Sequence, residues 1–249
     1  MTIDIHRYLG QSLFGYKTSP SQILRDMDKL AIEKTILVPV KPKGYKLAPE
    51  CKRVAKTVAK HSDRFMGWCR VDPWQGERAV AELQIGVREL GLVGLFLHPW
   101  EENFQIDSEL IDPLMIAAQK MFVPVMVVGG HVRQSTAWQI AELASRHPKV
   151  TIIATSGGQI NISGAALHEA ELMFDENPNV LMETSGIYRE DFIEDTAKKI
   201  GSRRVLWGSG SPIYDVAFEI KRGQWAHLPE DDKANILFRN AQRIFGRKS

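Results

Sequence analysis

The sequence predicts an α/β fold, a single (β/α)8 TIM barrel with eight parallel strands. Eight short apolar runs alternate with segments of helical periodicity, which is typical of βαβ units with right-handed crossovers. The chain has 249 residues, and one such barrel needs about 250 residues. The first run continues into Leu9-Gly10-Gln11-Ser12 and not into the glycine-rich loop of an open doubly wound sheet. We therefore expect residues 1–249 to form one barrel domain.

The predicted strands share one composition. Each is short, rich in Val, Ile, Leu or aromatic residues, and bounded by Gly, Pro or Asp. Near-continuous apolar runs of this kind are expected when helices cover a parallel sheet. In chain order the predicted strands are Ile3–Leu9, Thr35–Val40, Phe65–Val71, Leu92–Leu97, Val123–Val128, Val150–Ala154, Val180–Glu183 and Arg204–Gly208.

Helical patterns fill the segments between the strands, and the first and last of them are the clearest. Ser19-Pro20-Ser21-Gln22 has the pattern of a capping box with proline at the first helical position. In the last segment, Asp231 or Asp232 is placed to cap a helix that Gly246 ends. One face of that helix is apolar and carries Ala234, Leu237, Phe238, Ala241, Ile244 and Phe245.

Composition excludes several classes of protein. The formal net charge is only +2, so nothing indicates a general nucleic-acid binder. The two cysteines, Cys51 and Cys69, lack zinc-site spacing, which favours a reducing compartment over a disulfide framework. No signal-peptide pattern opens the chain, and no apolar run approaches the ~20 residues of a membrane span. We expect a cytoplasmic protein that does not enter a membrane.

Four motifs follow one another along the chain, at Ile3–Gly10, Gly91–Pro99, Leu206–Pro212 and Asn240–Gly246. Together they resemble those of the amidohydrolase-related family. This family comprises barrel hydrolases and decarboxylases of the aminocarboxymuconate semialdehyde decarboxylase type. Ile3–Gly10 is similar to its D-x-H-x-H-L-G, and Gly91–Pro99 to its G-x-x-G-x-x-L-H-P. Leu206–Pro212 is similar to its G-S-D-x-P, and Asn240–Gly246 to its N-A-x-x-x-F-G. The resemblance implies the same barrel, with a site at the carboxyl ends of the strands.

The resemblance also implies five positions that hold or activate a metal in the family. Here they are occupied by His6, Tyr8, Val128, Thr155 and Gly210, so only the first keeps its residue type. A catalytic zinc site normally needs three protein ligands and one open position. Valine and glycine side chains have no lone pair to donate. We therefore expect no metal ion and no other cofactor, and a divergent member of the family.

Three residues at the predicted strand ends are catalytic candidates. His6 has a ring whose ordinary pKa suits a general acid or base, although it is also explained as an inherited, hydrogen-bonded histidine. His131, three residues beyond Val128, is placed to act as a displaced base or simply to begin a helix. Glu183 can orient a histidine or make a structural hydrogen bond. Both interpretations of each residue remain open at this stage.

A second set of residues is predicted to bind substrate. Lys41 and Arg70 bring positive charge to the barrel mouth, which favours an anionic ligand such as a carboxylate. Aromatic and hydroxyl side chains nearby can stack on the ligand or donate to it. Each of these residues also has a structural explanation as a packing or surface residue. The full predicted set is Tyr8, Lys41, Arg70, His98, Trp100, Thr155, Ser156, Ser185, Ser209 and Ser211.

Three functions are compatible with these residues. The first is a metal-independent hydrolase or C–C lyase acting on a small carboxylated, aromatic or unsaturated compound. The second is a pseudoenzyme, a ligand-binding subunit that pairs with a metal-bearing relative. The third is a metal enzyme with relocated ligands drawn from His6, His98, His131 and Glu183. Since the family commonly forms dimers, the resemblance implies a homodimer or a heterodimer with a related barrel.

Overall fold

Parallel strands form the wall of a closed barrel in the computed structural model, which describes residues 1–159 and 164–246. Residues 160–163 and 247–249 of the predicted domain lie outside the described residues. The strand segments of the described part are β1 Ile3–Gln11, β2 Lys17–Thr18, β3 Lys34–Pro39, β4 Phe65–Gly67, β5 Cys69–Arg70, β6 Leu95–Leu97, β7 Val125–Val127, β8 Ile152–Ala154, β9 Val180–Glu183 and β10 Val205–Leu206.

These segments make the eight-stranded α/β barrel that the sequence predicts. The strands pair in the order β1-β3-β4 and β5-β6-β7-β8-β9-β10, and every one of these pairings is parallel. Segments β4 and β5 are two halves of one barrel strand, interrupted at Trp68, whose amide still donates to the carbonyl of Leu37 at 2.9 Å. Strand β2 was not predicted; it pairs antiparallel with the end of β1.

The barrel closes where β1 meets the chain that follows β10. The amide of Tyr8 donates to the carbonyl of Ser211 at 2.9 Å, and the amide of Gly210 donates to the carbonyl of His6 at 2.8 Å. The Asp4 carboxylate fastens the same seam: Oδ1 accepts from the amides of His6 (3.0 Å) and Ser209 (2.9 Å), and Oδ2 from the Ser209 hydroxyl (2.7 Å). One buried side chain therefore joins the first and last strands.

A β-bulge in β1 decides which side chains face the barrel mouth. Asp4 pairs with Thr35 and Arg7 with Leu37, so one extra residue is inserted into β1. Bulges re-aim side chains and are common beside active sites. Here Ile5 packs inside the barrel, whereas His6 and Tyr8 line the cavity at its mouth.

Helices cover the outside of the barrel. In the described residues they are α1 Pro20–Leu30, α2 Leu47–Lys60, α3 Glu77–Arg88, α4 Pro99–Glu102, α5 Asp112–Met121, α6 Ala137–Arg146, α7 Gly164–Glu176, α8 Glu190–Ile200, α9 Val216–Trp225, α10 Glu230–Ala234 and α11 Asn240–Phe245. Short 3-10 turns occur at Pro73–Gln75, Glu109–Ile111, Thr155–Gly158 and Ser202–Arg204. None of the helices in residues 1–159 and 164–246 has both the length and the apolar character needed to cross a membrane.

The helix ends agree only partly with the sequence. Ser19 caps α1 as predicted, accepting from the amide of Gln22 at 3.3 Å. The prediction for the last helix was wrong in detail, because Pro229 occupies its N-cap and a π-helical turn over Asn235–Arg239 separates α10 from α11. Asp232, a predicted cap, instead accepts from the Ser202 hydroxyl at 2.5 Å.

Two apolar cores flank the barrel wall. Alternate strand side chains point inward and pack into the inner core, which includes Ile36, Phe96, Met126 and Ile153. Trp68 lies within this inner core, where its indole Nε1 donates to the carbonyl of Ile5 at 2.8 Å. The other strand side chains point outward and pack against the helices in a larger second core. The parallel strands thus bury both faces, as their near-continuous apolar composition predicts.

Asp4 provides a direct test of the closure. We expect Asp4→Ala to lower the free energy of unfolding by about 2–4 kcal/mol, because it leaves buried backbone donors without an acceptor. Asp4→Asn keeps one acceptor oxygen and should cost less. Urea unfolding followed by circular dichroism measures both, with exposed Asp63→Ala as the matched control. Equal midpoints for Asp4→Ala and Asp63→Ala would show that the carboxylate does not hold the seam.

Candidate active site

A cavity of about 360 Å³ opens at the carboxyl ends of the strands. Its position is the one where barrel enzymes place their active sites. Side chains from the ends of several strands and from the following loops converge on it. The lining residues are His6, Tyr8, Phe14, Tyr16, His98, Trp100, Glu101, Val128, His131, Thr155, Ser156, Ser185, Gly210, Ile213 and Tyr214. Most of this surface is apolar or aromatic.

His6 is held in the cavity wall by a serine and a carboxylate. Its Nδ1 lies 3.3 Å from the Ser185 hydroxyl and 3.6 Å from Oε2 of Glu183. The same hydroxyl donates to Oε2 of Glu183 at 2.8 Å. His6 is only 4% exposed and Glu183 is fully buried. The structure thus brings Glu183 to a histidine, in the orienting position that was one of its two predicted roles.

The hydrogen bonds assign the proton on the His6 ring. The Ser185 hydroxyl has one hydrogen, which it gives to Glu183, so its oxygen accepts from Nδ1–H of His6. A neutral His6 then carries its free lone pair on Nε2. Among the described residues, no hydrogen-bond partner meets this buried nitrogen. A buried polar atom without a partner is uncommon in a folded protein. We therefore expect Nε2 to be the atom of this wall that binds a ligand.

Glu183 is positioned by backbone groups as well as by Ser185. Its Oε1 accepts from the amide of Ser185 at 2.9 Å, and its Oε2 from the amide of Ser156 at 3.3 Å. Ser156 has a left-handed conformation, with φ of 54°, in the turn that follows β8. A Cβ on Gly208 would lie 2.2 Å from Oε1 of Glu183. Glycine is therefore the residue that leaves space for the carboxylate.

Aromatic rings form much of the remaining lining of the cavity. The rings of Trp100 and His131 are stacked, with centroids 5.5 Å apart and planes inclined by 12°. Phe14 packs against Trp100 at 5.1 Å, and Tyr8 meets Tyr16 edge-on at 5.6 Å. Flat aromatic surfaces of this kind suit a flat, ring-containing ligand.

His98 caps α4 and remains neutral. Its Nδ1 accepts from the amide of Glu101 at 3.3 Å. Burial, aided by the nearby charge of Arg70, holds the pKa of His98 well below its ordinary value. Burial also lowers the pKa of His131, whose ring centroid is 6.0 Å from that of His98. His98, with Nδ1 engaged as an acceptor, presents Nε2–H as a donor.

The basic residues predicted to bind an anion do not line the cavity. Arg70 is fully buried behind its wall, where Nη2 lies 2.5 Å from Oε2 of Glu101 and 2.7 Å from Oε1 of Glu102. Its Nη1 donates to the carbonyl of Pro39 at 3.1 Å. Lys41 donates to the carbonyl of Glu101 and lies 3.7 Å from the Glu102 carboxylate. Two neighbouring carboxylates, which the sequence analysis did not consider, thus offset both cations.

Two predicted serines belong to the barrel seam. Ser209 donates to the Asp4 carboxylate, and its hydroxyl accepts from the amide of Ser211 at 3.1 Å. The carbonyl of Ser211 accepts a hydrogen bond from the amide of Tyr8. Neither residue lines the cavity. Thr155 and Ser156 do line it, and the Thr155 hydroxyl accepts from the amide of Gly129 at 3.3 Å.

The five positions that the family resemblance maps to metal chemistry all line this cavity. Their side chains do not fit a metal ion, because Val128 and Gly210 have no donor atom. Burial raises the pKa of the Tyr8 phenol well above its ordinary value, so it stays protonated. Within the part of the chain that the structure describes, no group of three His, Cys, Asp or Glu side chains is arranged to hold a metal.

Sequence reasoning missed several residues of the site. Asp4 stands in the first motif, and its place two residues before His6 was the available signal. Glu101 and Tyr214 lie in loops or short helices without a recognisable pattern. The Tyr214 ring packs against Gly186, where a Cβ would lie 2.2 Å from its Cζ. Contacts of this kind depend on loop geometry, which the apolar periodicity does not specify.

Comparisons with known proteins agree with this architecture. The family model for amidohydrolases matches residues 32–247. A search of the curated proteins found no match. Among solved structures, 2,6-dihydroxybenzoate decarboxylase from Rhizobium is similar over 98% of this chain and 98% of its own, with a TM-score of 0.77 and 20% identity.

Two further structures show the same barrel. For 5-carboxyvanillate decarboxylase from Sphingomonas paucimobilis the TM-score is 0.79, with 16% identity over 98% of each chain. Dihydroxybenzoic acid decarboxylase from Polaromonas sp. JS666, solved with bound manganese and 2-nitroresorcinol, gives 0.78 at 19% identity. That likeness covers 98% of this chain and 96% of the other. At these identities the likeness establishes the fold.

Gly208 tests the packing around Glu183. We expect Gly208→Ala to destabilise the protein by about 1–3 kcal/mol, because the new Cβ overlaps the carboxylate and lies 2.9 Å from Cβ of His6. Gly44→Ala is the matched control, since no described heavy atom outside its immediate neighbours lies within 4 Å of a Cβ placed there. Thermal unfolding of both variants checks the difference. Indistinguishable midpoints would contradict the tight contact.

Glu219 predicts a pH dependence of stability. It is 2% exposed, accepts from the amide of Gly186 at 3.3 Å, and pairs with Arg222 at 3.2 Å. Burial raises the pKa of Glu219 to about 7. The folded protein therefore binds this proton more tightly than the unfolded chain does. The contribution of Glu219 to the free energy of unfolding therefore falls as the pH rises from the ordinary pKa of glutamate to about 7.

We expect Glu219→Gln to remove this contribution, which amounts to about 2–3 kcal/mol over that interval. Urea unfolding of wild type and variant at several pH values from 5 to 8 measures it. The difference in free energy should shift in favour of the variant as pH rises. A difference that is independent of pH would mean that Glu219 titrates normally.

Proposed function

The chain belongs to the amidohydrolase family, and from that premise we propose that it is a lyase that removes CO2 from a small aromatic carboxylate without a metal ion. One observation carries the proposal: Nε2 of His6 is buried, has no partner among the described residues, and belongs to a residue that lines the aromatic cavity. Ser185 and Glu183 hold the other side of the same ring.

Decarboxylation of an aromatic ring needs a proton donor. The ring carbon that bears the carboxylate takes up a proton, and the bond to the carboxylate then breaks. The electron pair of that bond returns to the ring, and CO2 leaves, so carboxylate and proton give arene and CO2. Nε2 of His6 takes up this proton from solvent and delivers it to the ring carbon. Glu183, 3.6 Å from Nδ1, holds the imidazole in position for the transfer.

The character of the cavity favours C–C cleavage over hydrolysis. Hydrolysis needs an activated water, whereas decarboxylation needs only a proton and a ring held in place. The aromatic wall that includes Trp100 and Tyr16 suits a flat ring. Arg70 and Lys41 are already paired with carboxylates, so we place the reacting carbon of the ligand at Nε2 of His6, the buried atom without a partner among the described residues.

The solved relatives support the same substrate class. Two of them are named as decarboxylases of hydroxylated or methoxylated benzoates. Such substrates carry electron-donating groups that make a ring carbon easier to protonate. The Polaromonas structure was solved with bound manganese. Since no group of three His, Cys, Asp or Glu side chains among the described residues of this chain is arranged to hold a metal, the proposal relies on the proton donor and the ring-binding wall.

A second candidate function is binding without turnover, with the chain acting as partner of a metal-bearing relative. It is favoured by the replacement of donor positions with Tyr8 and Val128, which fill space in the cavity and supply no base. In that case the same aromatic carboxylates bind but remain unchanged. Calorimetric binding together with an activity assay distinguishes the two candidates.

We expect chelator-treated protein to release CO2 from a hydroxybenzoate, with 2,6-dihydroxybenzoate and 5-carboxyvanillate as the first compounds assayed. His6→Asn should lower kcat by about 100-fold or more, since it removes the proton donor. Ser185→Ala should lower kcat less, because it affects only the orientation of the ring. His168→Asn, on the exposed side of α7, is the matched control and should leave the rate unchanged.

Incorporation of deuterium into the product provides an independent check of the reaction. In D2O, the proposed reaction places deuterium on the carbon that lost the carboxylate. Binding without CO2 release in both wild type and His6→Asn would favour the second candidate. A rate that appears only on addition of manganese would overturn the metal-free mechanism.

A further inference from the structure

A second cavity, of about 250 Å³, contains both cysteines of the chain. Cys51 lies on α2 and Cys69 on β5, on the outer side of the barrel wall. The side chains of α3 complete the cavity, and it shares no lining residue with the cavity at the barrel mouth. The cavity lies outside the proposed reaction and is independent of it.

The two cysteines line one cavity and lie close together. Sγ of Cys51 lies 3.3 Å from the amide nitrogen and 3.1 Å from the carbonyl oxygen of Arg70, the residue that follows Cys69. Sγ of Cys69 lies 3.9 Å from the carbonyl oxygen of Glu82 on α3. The interaction between the two thiols lowers the pKa of Cys51, and the same interaction together with burial raises the pKa of Cys69. Cys51 is therefore the member that becomes a thiolate first.

Packing fixes Cys69 in this position. A Cβ on Gly86 of α3 would lie 2.4 Å from Sγ of Cys69, so the absence of a side chain there leaves room for the sulfur. Both cysteines are nearly inaccessible from the surface, at 5% and 1% exposure. The exposed side chains of Lys52, Arg78 and Ile85 form the rim of the cavity and connect it to solvent.

We propose that Cys51 and Cys69 form a redox site that a small peroxide oxidises to an intramolecular disulfide. The Cys51 thiolate attacks one peroxide oxygen, the O–O bond breaks, and hydroxide leaves, so that a sulfenic acid forms on Cys51. The Cys69 sulfur then attacks the Cys51 sulfur, and the hydroxyl leaves as water with the thiol proton. Two thiols lose two electrons in total, and hydrogen peroxide is reduced to two waters.

A thiol of lowered pKa next to a resolving cysteine is one feature of a peroxide-sensitive pair. The cavity provides the access to the two sulfurs that their 5% and 1% surface exposure does not. The cavity admits a molecule as small as hydrogen peroxide, and its rim includes the cationic Lys52. A cavity of about 250 Å³ favours a small oxidant such as hydrogen peroxide over a bulky one such as glutathione disulfide.

Mass spectrometry of the full chain tests the proposal. Reduced wild type is treated with a small molar excess of hydrogen peroxide, denatured and alkylated. We expect both cysteines to escape alkylation and a peptide map to show Cys51 linked to Cys69 within one chain. Dithiothreitol should restore both thiols. Cys69→Ser should stop at the sulfenic acid, which dimedone traps on Cys51.

The reciprocal variant, in which Cys51 is replaced, tests which thiol reacts with peroxide first. Cys51→Ser should react with peroxide at least tenfold more slowly, because burial, which persists in the variant, still raises the pKa of Cys69 and leaves its side chain only 1% exposed. Since the cross-link is detected in wild type, a serine variant that fails to fold does not affect the conclusion. Two free thiols after treatment, a link between two chains, or only sulfinic acid on Cys51 would each overturn the proposal.

Discussion

The closure of the barrel around the Asp4 carboxylate is the constraint on which the rest of the structure depends. It joins residues 205 positions apart in the chain and leaves neither β1 nor β10 with an open edge. Open edges invite pairing with other chains. The backbone of His6 is held from both sides of this seam, by the Asp4 carboxylate and by the amide of Gly210. The position of the proposed proton donor is therefore a direct result of closure.

The cations near the cavity that is proposed to bind substrate are paired with carboxylates. Arg70 forms a buried cluster with Glu101, which lines the cavity, and with Glu102, where burial raises the pKa of Glu102 and Arg70 opposes that rise. Burying such a cluster costs desolvation energy, and its paired geometry offsets that cost. The rest of the cavity lining is mainly aromatic or apolar, and Nε2 of His6 is the buried polar atom of this lining that lacks a partner among the described residues.

The barrel strands and part of the candidate site could be predicted from the sequence, because they depend on local periodicity. The short apolar runs identify the barrel strands to within a few residues, and the two-residue spacing correctly places His6 and Tyr8 on one face. Glu183 was also identified as a residue able to orient a histidine. The charge partners of Arg70 could not be predicted, because Glu101 and Glu102 follow a different strand. Sequence spacing carries no information on which way a strand-end arginine turns.

The stacked pair of Trp100 and His131 has an optical consequence. Trp100 is 47% exposed and its indole lies parallel to the imidazole. A protonated imidazole in such contact accepts an electron from an excited indole and quenches its emission. Because burial lowers the pKa of His131, this quenching is weak at neutral pH and grows in acid. A flat molecule that separates the two rings changes the fluorescence of Trp100. The intrinsic fluorescence of this residue therefore reports whether a ligand occupies the barrel mouth.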